Sequence, residues 1–364
     1  MNSTTQPAVV PSADATPDAT PDEAPLRVAV LSFAHVHAAS YVSLLRDRPD
    51  VELITADPDA ATSPADEVRG RPFAEQLGAP YVDTYAEAFA WGPDVVIVCS
   101  ENARHRDVVL AAAEAGAHVL CEKPLATRVE DAEAMIAACD AAGVQLMTAY
   151  PVRFSPEFAT LRGLVDAGAL GTVLGGTGTN NGKVPAGRAW FTDPELAGGG
   201  ALADHVVHVA DLLDALLGEE AVAVRAVTNR VLHGDDPRVR AETGGLVSIT
   251  YAGGAEVTVD CSWSVPDGAP TWGGLTLQVV GTGGTVEIDP FGARVDGLVA
   301  GGTQQAWLGF GANLDALMLE HFLDCVRTGA TPGPDGRTGL RTLRVVAAAQ
   351  ESVVTGGAVV RLAS

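Results

Sequence analysis

Lys123 is one of only two lysines in a chain whose 23 basic residues are otherwise all arginine. It stands in Cys121-Glu122-Lys123-Pro124, directly after the apolar run 117–120. An ammonium at the end of a buried strand is costly to desolvate, and the proline beside it stops the strand, so the placement points to chemistry. Later comes Gly198-Gly199-Gly200, followed by Asp204, His208 and Asp211. These three lie at i, i+4 and i+7, on one stripe of a helix. An amine, a carboxylate and an imidazole can together move a proton and stabilise an oxyanion. Leu202, Val206, Val209, Leu213 and Leu216 supply apolar packing, so the stripe alone describes any amphipathic helix with a polar face. The triglycine tips the reading toward a site, because its backbone can lie against a ligand with no side chain between them.

The elements that must position these groups divide the chain in two. From Leu26 to Thr148 apolar strand-like runs (27–31, 51–56, 94–99, 118–121, 144–148) alternate with helical stretches (38–46, 65–77, 107–115, 130–142). Fully apolar strands bridged by helices imply a doubly wound parallel sheet of the Rossmann kind over 26–148. Beyond it the rhythm changes to helix 156–167, strand 173–179, helix 201–217, then strands 223–231, 246–251, 255–263, 275–280 and 285–288. Gly253-Gly254 and Gly283-Gly284 read as hairpin turns between them. Helices 314–327 and 339–355 and a strand at 358–362 close the chain. The expectation for 149–364 is therefore a C-terminal α/β domain with a large, open, mostly antiparallel sheet carrying helices on one face.

At the first strand–helix turn a dinucleotide fold shows Gly-x-Gly-x-x-Gly; here those positions hold Ser32, Ala34 and His37, within Ser32-Phe33-Ala34-His35-Val36-His37. Position remains as the argument: a strand, a turn of small residues, and a helix whose free amides face an anion. Asp57 ends the second strand twenty residues after His37. It suits a carboxylate accepting the adenosine ribose hydroxyls and repelling a 2′-phosphate, which favours NAD and leaves NADP open. Ser100, Asn102 and His105 follow the fourth strand, at the sheet edge where a cofactor crevice opens, and Asn102 equally suits a helix cap. His35-x-His37 after a first strand also fits metal-dependent amidohydrolase barrels. Such barrels need eight βα units, and the hairpins of 223–288 break that alternation, so no metal is expected.

Composition bounds the remaining readings. A chain of 364 residues suits two domains. Nothing in it reaches the length of apolar run that spans a bilayer. Residues 1–25, with their Asp-Ala-Thr-Pro repetition, read as a disordered, solvated tail without the parts of a signal peptide. Five cysteines without paired spacing favour free thiols and a cytoplasmic location. A net charge of −23 argues against nucleic acid as a partner.

Four motifs resemble the Gfo/Idh/MocA family of oxidoreductases over 26–362: Glu122-Lys123-Pro124; Ser100-x-Asn102-x-x-His105; Arg153-Phe154-Ser155-Pro156; and Asp193-Pro194-Glu195-Leu196-x-Gly198-Gly199-Gly200-x-x-x-Asp204-x-x-x-His208. The resemblance implies a Rossmann domain, an open-sheet domain for substrate binding and oligomerisation, and an active site between them. It implies Lys123, Asp204 and His208 as catalytic residues and assembly into a homodimer or homotetramer through the large sheet. On this reading a nicotinamide takes hydride from a carbinol of a sugar, polyol or derivative. His208 is the base, Asp204 orients it or the substrate, and Lys123 stabilises the oxyanion and, with Glu122, places the nicotinamide ribose. Ser32, Phe33, Ala34, His35, Val36, Asp57, Ser100, Asn102 and His105 complete the cofactor contacts; Arg153, Arg188 and Trp190 are candidates for substrate. A redox-neutral NAD-dependent glycosidase and a non-catalytic dinucleotide sensor stand as alternatives on the same scaffold.

Overall fold

A computed structural model describes residues 24–185, 187–298 and 305–362, so 1–23 of the expected tail lie outside the described residues. The first half runs β1 (Leu26–Leu31), α1 (His37–Leu45), β2 (Val51–Ala56), α2 (Gly70–Gln76), β3 (Tyr81–Val82), α3 (Tyr85–Ala90), β4 (Val95–Val98), α4 (His105–Glu114), β5 (His118–Cys121), α5 (Val129–Ala142) and β6 (Leu146–Thr148). All six strands pair in parallel, in the order β3-β2-β1-β4-β5-β6. The order reverses between β1 and β4, and there a doubly wound sheet opens its crevice at the strands' carboxyl ends. Val28–Leu31 and Val95–Val98 are fully buried because helices cover both faces, which is why these strands read as unbroken apolar runs. Val109, Ala112, Met135 and Ile136 of α4 and α5 pack on one face. On the other, Tyr41 and Val42 of α1 are joined by Met318, Leu319 and Phe322 from near the chain's end.

The second half contains α6 (Pro156–Asp166), β7 (Val173–Gly182), α7 (Pro194–Ala197), α8 (Ala201–Leu217), β8 (Ala221–Asn229), β9 (Gly244–Tyr251), β10 (Glu256–Ser262), β11 (Gly273–Gly281), β12 (Gly284–Ile288), β13 (Arg294–Leu298), β14 (Gln305–Gly309), α9 (Leu314–Thr328), α10 (Gly336–Val354) and β15 (Val360–Arg361). Seven strands form one sheet, β12-β11-β7-β10-β9-β8-β15, antiparallel except where β7 meets β10. The hairpins turn at the two expected glycine pairs. Val206, Val209 and Leu213 of α8, with Val345 and Ala349 of α10, pack against Val247, Ile249, Val257 and Val259. At Gly178 a Cβ would lie 2.5 Å from Val209 Cγ1, so α8 approaches β7 more closely than a side chain there permits.

The helix expected over 65–77 begins only at Gly70. That glycine has φ +64°, the preceding Arg69 is extended, and Pro72 occupies the first turn, where its missing amide costs nothing. Helix α3, which the sequence patterns do not announce, is opened by a capping box between Thr84 and Glu87. All five cysteines are buried free thiols. Among the described residues no helix is long and apolar enough to cross a membrane.

Candidate active site

Strand β5 delivers Glu122 and Lys123 to the carboxyl edge of the first sheet, and α8 presents Asp204 from its first turn. The start of α8 is fixed by Glu242, whose Oε1 accepts the amides of Gly200 at 2.7 Å and Leu202 at 3.2 Å. A Cβ on Gly200 would stand 2.0 Å from the Glu242 carbonyl oxygen, so only glycine fits. Across this junction Lys123 Nζ donates to Asp204 Oδ1 at 2.6 Å and to the Asp204 carbonyl at 3.3 Å. The second carboxylate oxygen accepts Trp263 Nε1 at 3.2 Å and lies 3.2 Å from His205 Nε2. Burial pushes the Asp204 pKa upward, but Lys123 and then His205 outweigh it and hold the group well below the usual carboxylate range. His205 and Trp263 were not read from the sequence. Helical neighbours i and i+1 point away from each other, so stripe arithmetic passes over His205, and Trp263 arrives from the turn that follows β10.

His208 does not touch the Asp204 carboxylate. Its ring sits edge-on to Tyr150 at 5.9 Å, and its Nδ1 is buried without a partner. Burial and then Lys123 drive its pKa well below 6.5, leaving a neutral imidazole with basic capacity at pH 7. Asp211, the third member of the stripe, binds Arg153 through both oxygens, at 2.6 and 3.0 Å. Arg153, read as a substrate contact, is thus spent on a side chain of the same helix.

The glycine-poor turn keeps the backbone that glycine would give: Ser32 adopts φ +72°, a region that few non-glycine residues enter. Ser32 Oγ accepts the Ala34 amide at 3.2 Å, which fixes the bend. Phe33 points into the core against Phe73, and Val36 is half exposed at the start of α1. Trp190, stacked on Phe191, donates Nε1 to the Ala34 carbonyl at 3.0 Å. Its indole N–H is thus committed to this turn. His35 Nδ1 accepts the His37 amide at 3.2 Å, so the ring's proton belongs on Nε2. Burial lowers the His35 pKa to about 3. His37 Nδ1 lies 3.0 Å from Glu122 Oε1, which also accepts Tyr41 Oη at 2.6 Å. Burial depresses His37, yet the Glu122 charge wins and raises its pKa above the ordinary value. His35, His37 and Glu122 offer three potential metal-ligand atoms within 4.8 Å of one another, and the bonds just named engage one atom of each residue.

Asp57 stands at the tip of β2 as expected, but its partners are protein groups: Arg69 by two bonds, Ser32 and the Gly70 amide. These four bonds occupy both carboxylate oxygens, to which the expected ribose hydroxyls would donate. His105 is also redirected. Its ring nitrogens face the carbonyls of Pro124, Leu125 and Ser100, bracing the loops after β4 and β5. Asn102 is no cap; its Nδ2 reaches the Ala197 carbonyl at 2.8 Å, tying the crevice to α7. Arg188 lies over the Phe73 ring near Arg69.

A dinucleotide fits this edge on the chemistry of its orphaned atoms. Apart from Gln145 Oε1, the buried side-chain polar atoms without a partner among the described residues are His35 Nε2, Ser100 Oγ, Glu101 Oε2, Asn102 Oδ1, Arg188 Nε, His205 Nδ1 and His208 Nδ1. They lie in the turn after β1 (His35), the loop after β4 (Ser100, Glu101 and Asn102), the segment before α7 (Arg188) and α8 (His205 and His208). Buried polar atoms need partners, and a ligand with ribose hydroxyls, phosphates and a carboxamide supplies both donors and acceptors.

Sequence profiles agree with this geometry. One described as an oxidoreductase-family NAD-binding Rossmann fold matches residues 21–150, and one described as the GFO/IDH/MocA C-terminal domain matches 158–287. The chain is 31% identical over 314 residues to D-xylose 1-dehydrogenase (NADP(+)) 2 of Haloferax volcanii, covering 82% of this chain and 91% of that protein. It is 29% identical over 318 residues to inositol 2-dehydrogenase 3 of Saccharopolyspora erythraea, with coverages of 84% and 88%. The crystal structure of GenD2 from gentamicin A biosynthesis, in complex with NAD, superposes with a TM-score of 0.83 at 26% identity, covering 96% of this chain and all of that one.

Proposed function

The chain belongs to the Gfo/Idh/MocA family of NAD-binding oxidoreductases, and from that premise we propose that it oxidises a carbinol of a sugar, polyol or sugar derivative. The carrying observation is the 2.6 Å contact of Lys123 with Asp204 beside an unpartnered, neutral His208. Bound at the crevice, a nicotinamide supplies the acceptor for hydride from the carbinol carbon. His208 takes the hydroxyl proton, because its imidazole is neutral at pH 7 and its Nδ1 has no hydrogen-bond partner. Lys123, held by Asp204, donates to the oxygen as negative charge develops on it. Glu122, with His35 and His37, Ser100 and Asn102 hold the cofactor's polar groups. Relatives named for xylose and inositol support a polyhydroxylated substrate.

We also propose a homo-oligomer formed through the uncovered face of the second sheet. Val227 and Leu246 pair directly across β8 and β9 and are each half exposed. The free thiols fit a reducing cytoplasm, and the charge of −23 disfavours nucleic acid.

The test is reduced-nicotinamide absorbance over a panel containing D-xylose, myo-inositol and alkyl glucosides. Net reduction of NAD or NADP by at least one is expected, and His208→Gln should lower its turnover about 10²–10⁴-fold. Release of an aglycone without net reduced cofactor would replace this reading with redox-neutral glycoside cleavage. Dinucleotide binding with no turnover on any member would make the protein a sensor.

A further inference from the structure

The chain's other lysine, Lys183, is used to hold main chain. Its Nζ donates to the Asp267 carbonyl at 2.8 Å and to the Ala269 carbonyl at 2.7 Å. Its amide donates to the Trp272 carbonyl at 2.9 Å, and the Gly182 carbonyl accepts the Val265 amide at 3.0 Å. The segment 265–272, which joins β10 to β11, is thus pinned to the end of β7. It carries Trp272, whose indole is 52% exposed. An exposed aromatic on a slack loop would mean little, but this one is seated. A Cβ at Gly182 would stand 2.8 Å from Trp272 Nε1, so the absent side chain is what lets the indole edge rest against β7.

Strand β7 also fixes the side on which the ring lies, because alternate residues share a face. Gly178 meets Val209 of α8, Asn180 Nδ2 reaches the His205 carbonyl at 3.2 Å, and a Cβ at Gly182 would lie 3.2 Å from His205 Cε1. The indole therefore stands on the α8 side of the sheet, next to the His205 ring, whose Nε2 is 3.2 Å from Asp204 Oδ2. Val184, the residue after Lys183, packs against the cluster of Ala201, Val239, Ala241 and Trp263 at the start of α8. An accessible indole, held in place, borders the group that grips Lys123.

We propose that Trp272 is the platform on which the substrate's ring rests, and that the protein selects a cyclic sugar or cyclitol over an open-chain polyol. The chair of a pyranose or an inositol gathers its axial C–H groups into an apolar face, which a rigid indole covers at small entropic cost, while the hydroxyls at the rim stay free for polar contacts. An open-chain polyol has no fixed apolar face and must order several torsions to make one.

The proposal rests on the dehydrogenase reading of this site, and binding measured apart from turnover separates the two. Calorimetry on the full chain with excess NAD uses methyl β-D-glucopyranoside, D-xylose and myo-inositol as ring ligands, and D-glucitol and xylitol as open chains. At least one ring ligand should bind about tenfold more tightly than either open chain. Trp272→Ala should raise that ligand's Kd about tenfold or more, the scale for losing a large apolar contact, and leave the NAD Kd unchanged, which reports an intact fold. Trp272→Phe keeps a flat apolar face and should stay within about threefold of the wild type. Where the ligand is turned over, the loss in Trp272→Ala should fall on KM and spare kcat. Failure of the wild type to bind any ring ligand overturns the proposal, as does equal affinity for rings and open chains. Ring binding unmoved in Trp272→Ala also overturns it, and a changed oligomeric state in that variant would then assign the indole to an interface. Turnover of a ring ligand unaffected by the substitution leaves the dehydrogenase reading standing alone. Ring binding that needs Trp272 but yields no reduced nicotinamide removes that reading and keeps the platform.

Discussion

Lys123 influences His208 without touching it. After burial, its charge is the largest cause of the depressed imidazole pKa, and a base acts only while unprotonated. The acid limb of kcat/KM reports the free enzyme's base, so activity should stay level through pH 6.5 and fall only below it. Lys123→Met should move that limb upward and also cost about 10²–10³ in kcat, the loss typical when an oxyanion donor is removed. A pH–rate profile of both proteins checks the pair of expectations, and a wild-type limb at or above 6.5 contradicts them. Asp204→Asn should act mainly through Lys123, since it removes the charge partner of a nearly buried ammonium.

Helix α8 depends on how its first turn is gripped. Gly200→Ala would drive a Cβ into the Glu242 carbonyl and should cost roughly 1–3 kcal/mol, the usual range for overpacking, while displacing Asp204 from Lys123. Gly163→Ala in α6 meets nothing within 4 Å and should be neutral or stabilising by up to about 1 kcal/mol. Denaturant midpoints of both variants test the contrast. Most elements were legible from the chain. Buried parallel strands announce themselves as apolar runs, and Gly253-Gly254 and Gly283-Gly284 turned where turn chemistry demanded. Residues 65–69 were misread as helix because their composition is helical while their conformation is set by a tertiary bond, Arg69 to Asp57. The same bond hid from the sequence the true partner of Asp57. Pairings between remote segments leave no local periodicity, so Arg153 with Asp211 and Trp263 with Asp204 were equally invisible.

Across the whole molecule, buried imidazoles set the response to acid. His35, with a pKa of about 3, and His208 and His105, both lowered by burial, bind fewer protons folded than unfolded below the unfolded value of 6.5. Their contribution is present above 6.5 and is lost as pH falls through the window down to the folded values. His37 has the opposite sign. Its raised pKa contributes below 6.5 and is lost as pH rises through the folded value. With five lowered imidazoles, His118 and His321 included, against the raised His37 and the buried Asp211 carboxyl, pushed up to about 6, the unfolding free energy from urea titrations should drop between pH 7 and 5, by about 1.4 kcal/mol per pH unit for each net proton. His35→Phe should flatten the slope and His37→Gln steepen it. The buried thiols carry one more consequence. Cys121 is buried in the cluster with α4 and α5 and Cys99 in the cluster with α1 and α9, and burial pushes both pKa values well up, so neither presents a thiolate to a reagent in solution. A maleimide should leave the native chain unmarked, and each adduct that forms, resolved by mass, becomes a clock for the opening of the particular layer that held it.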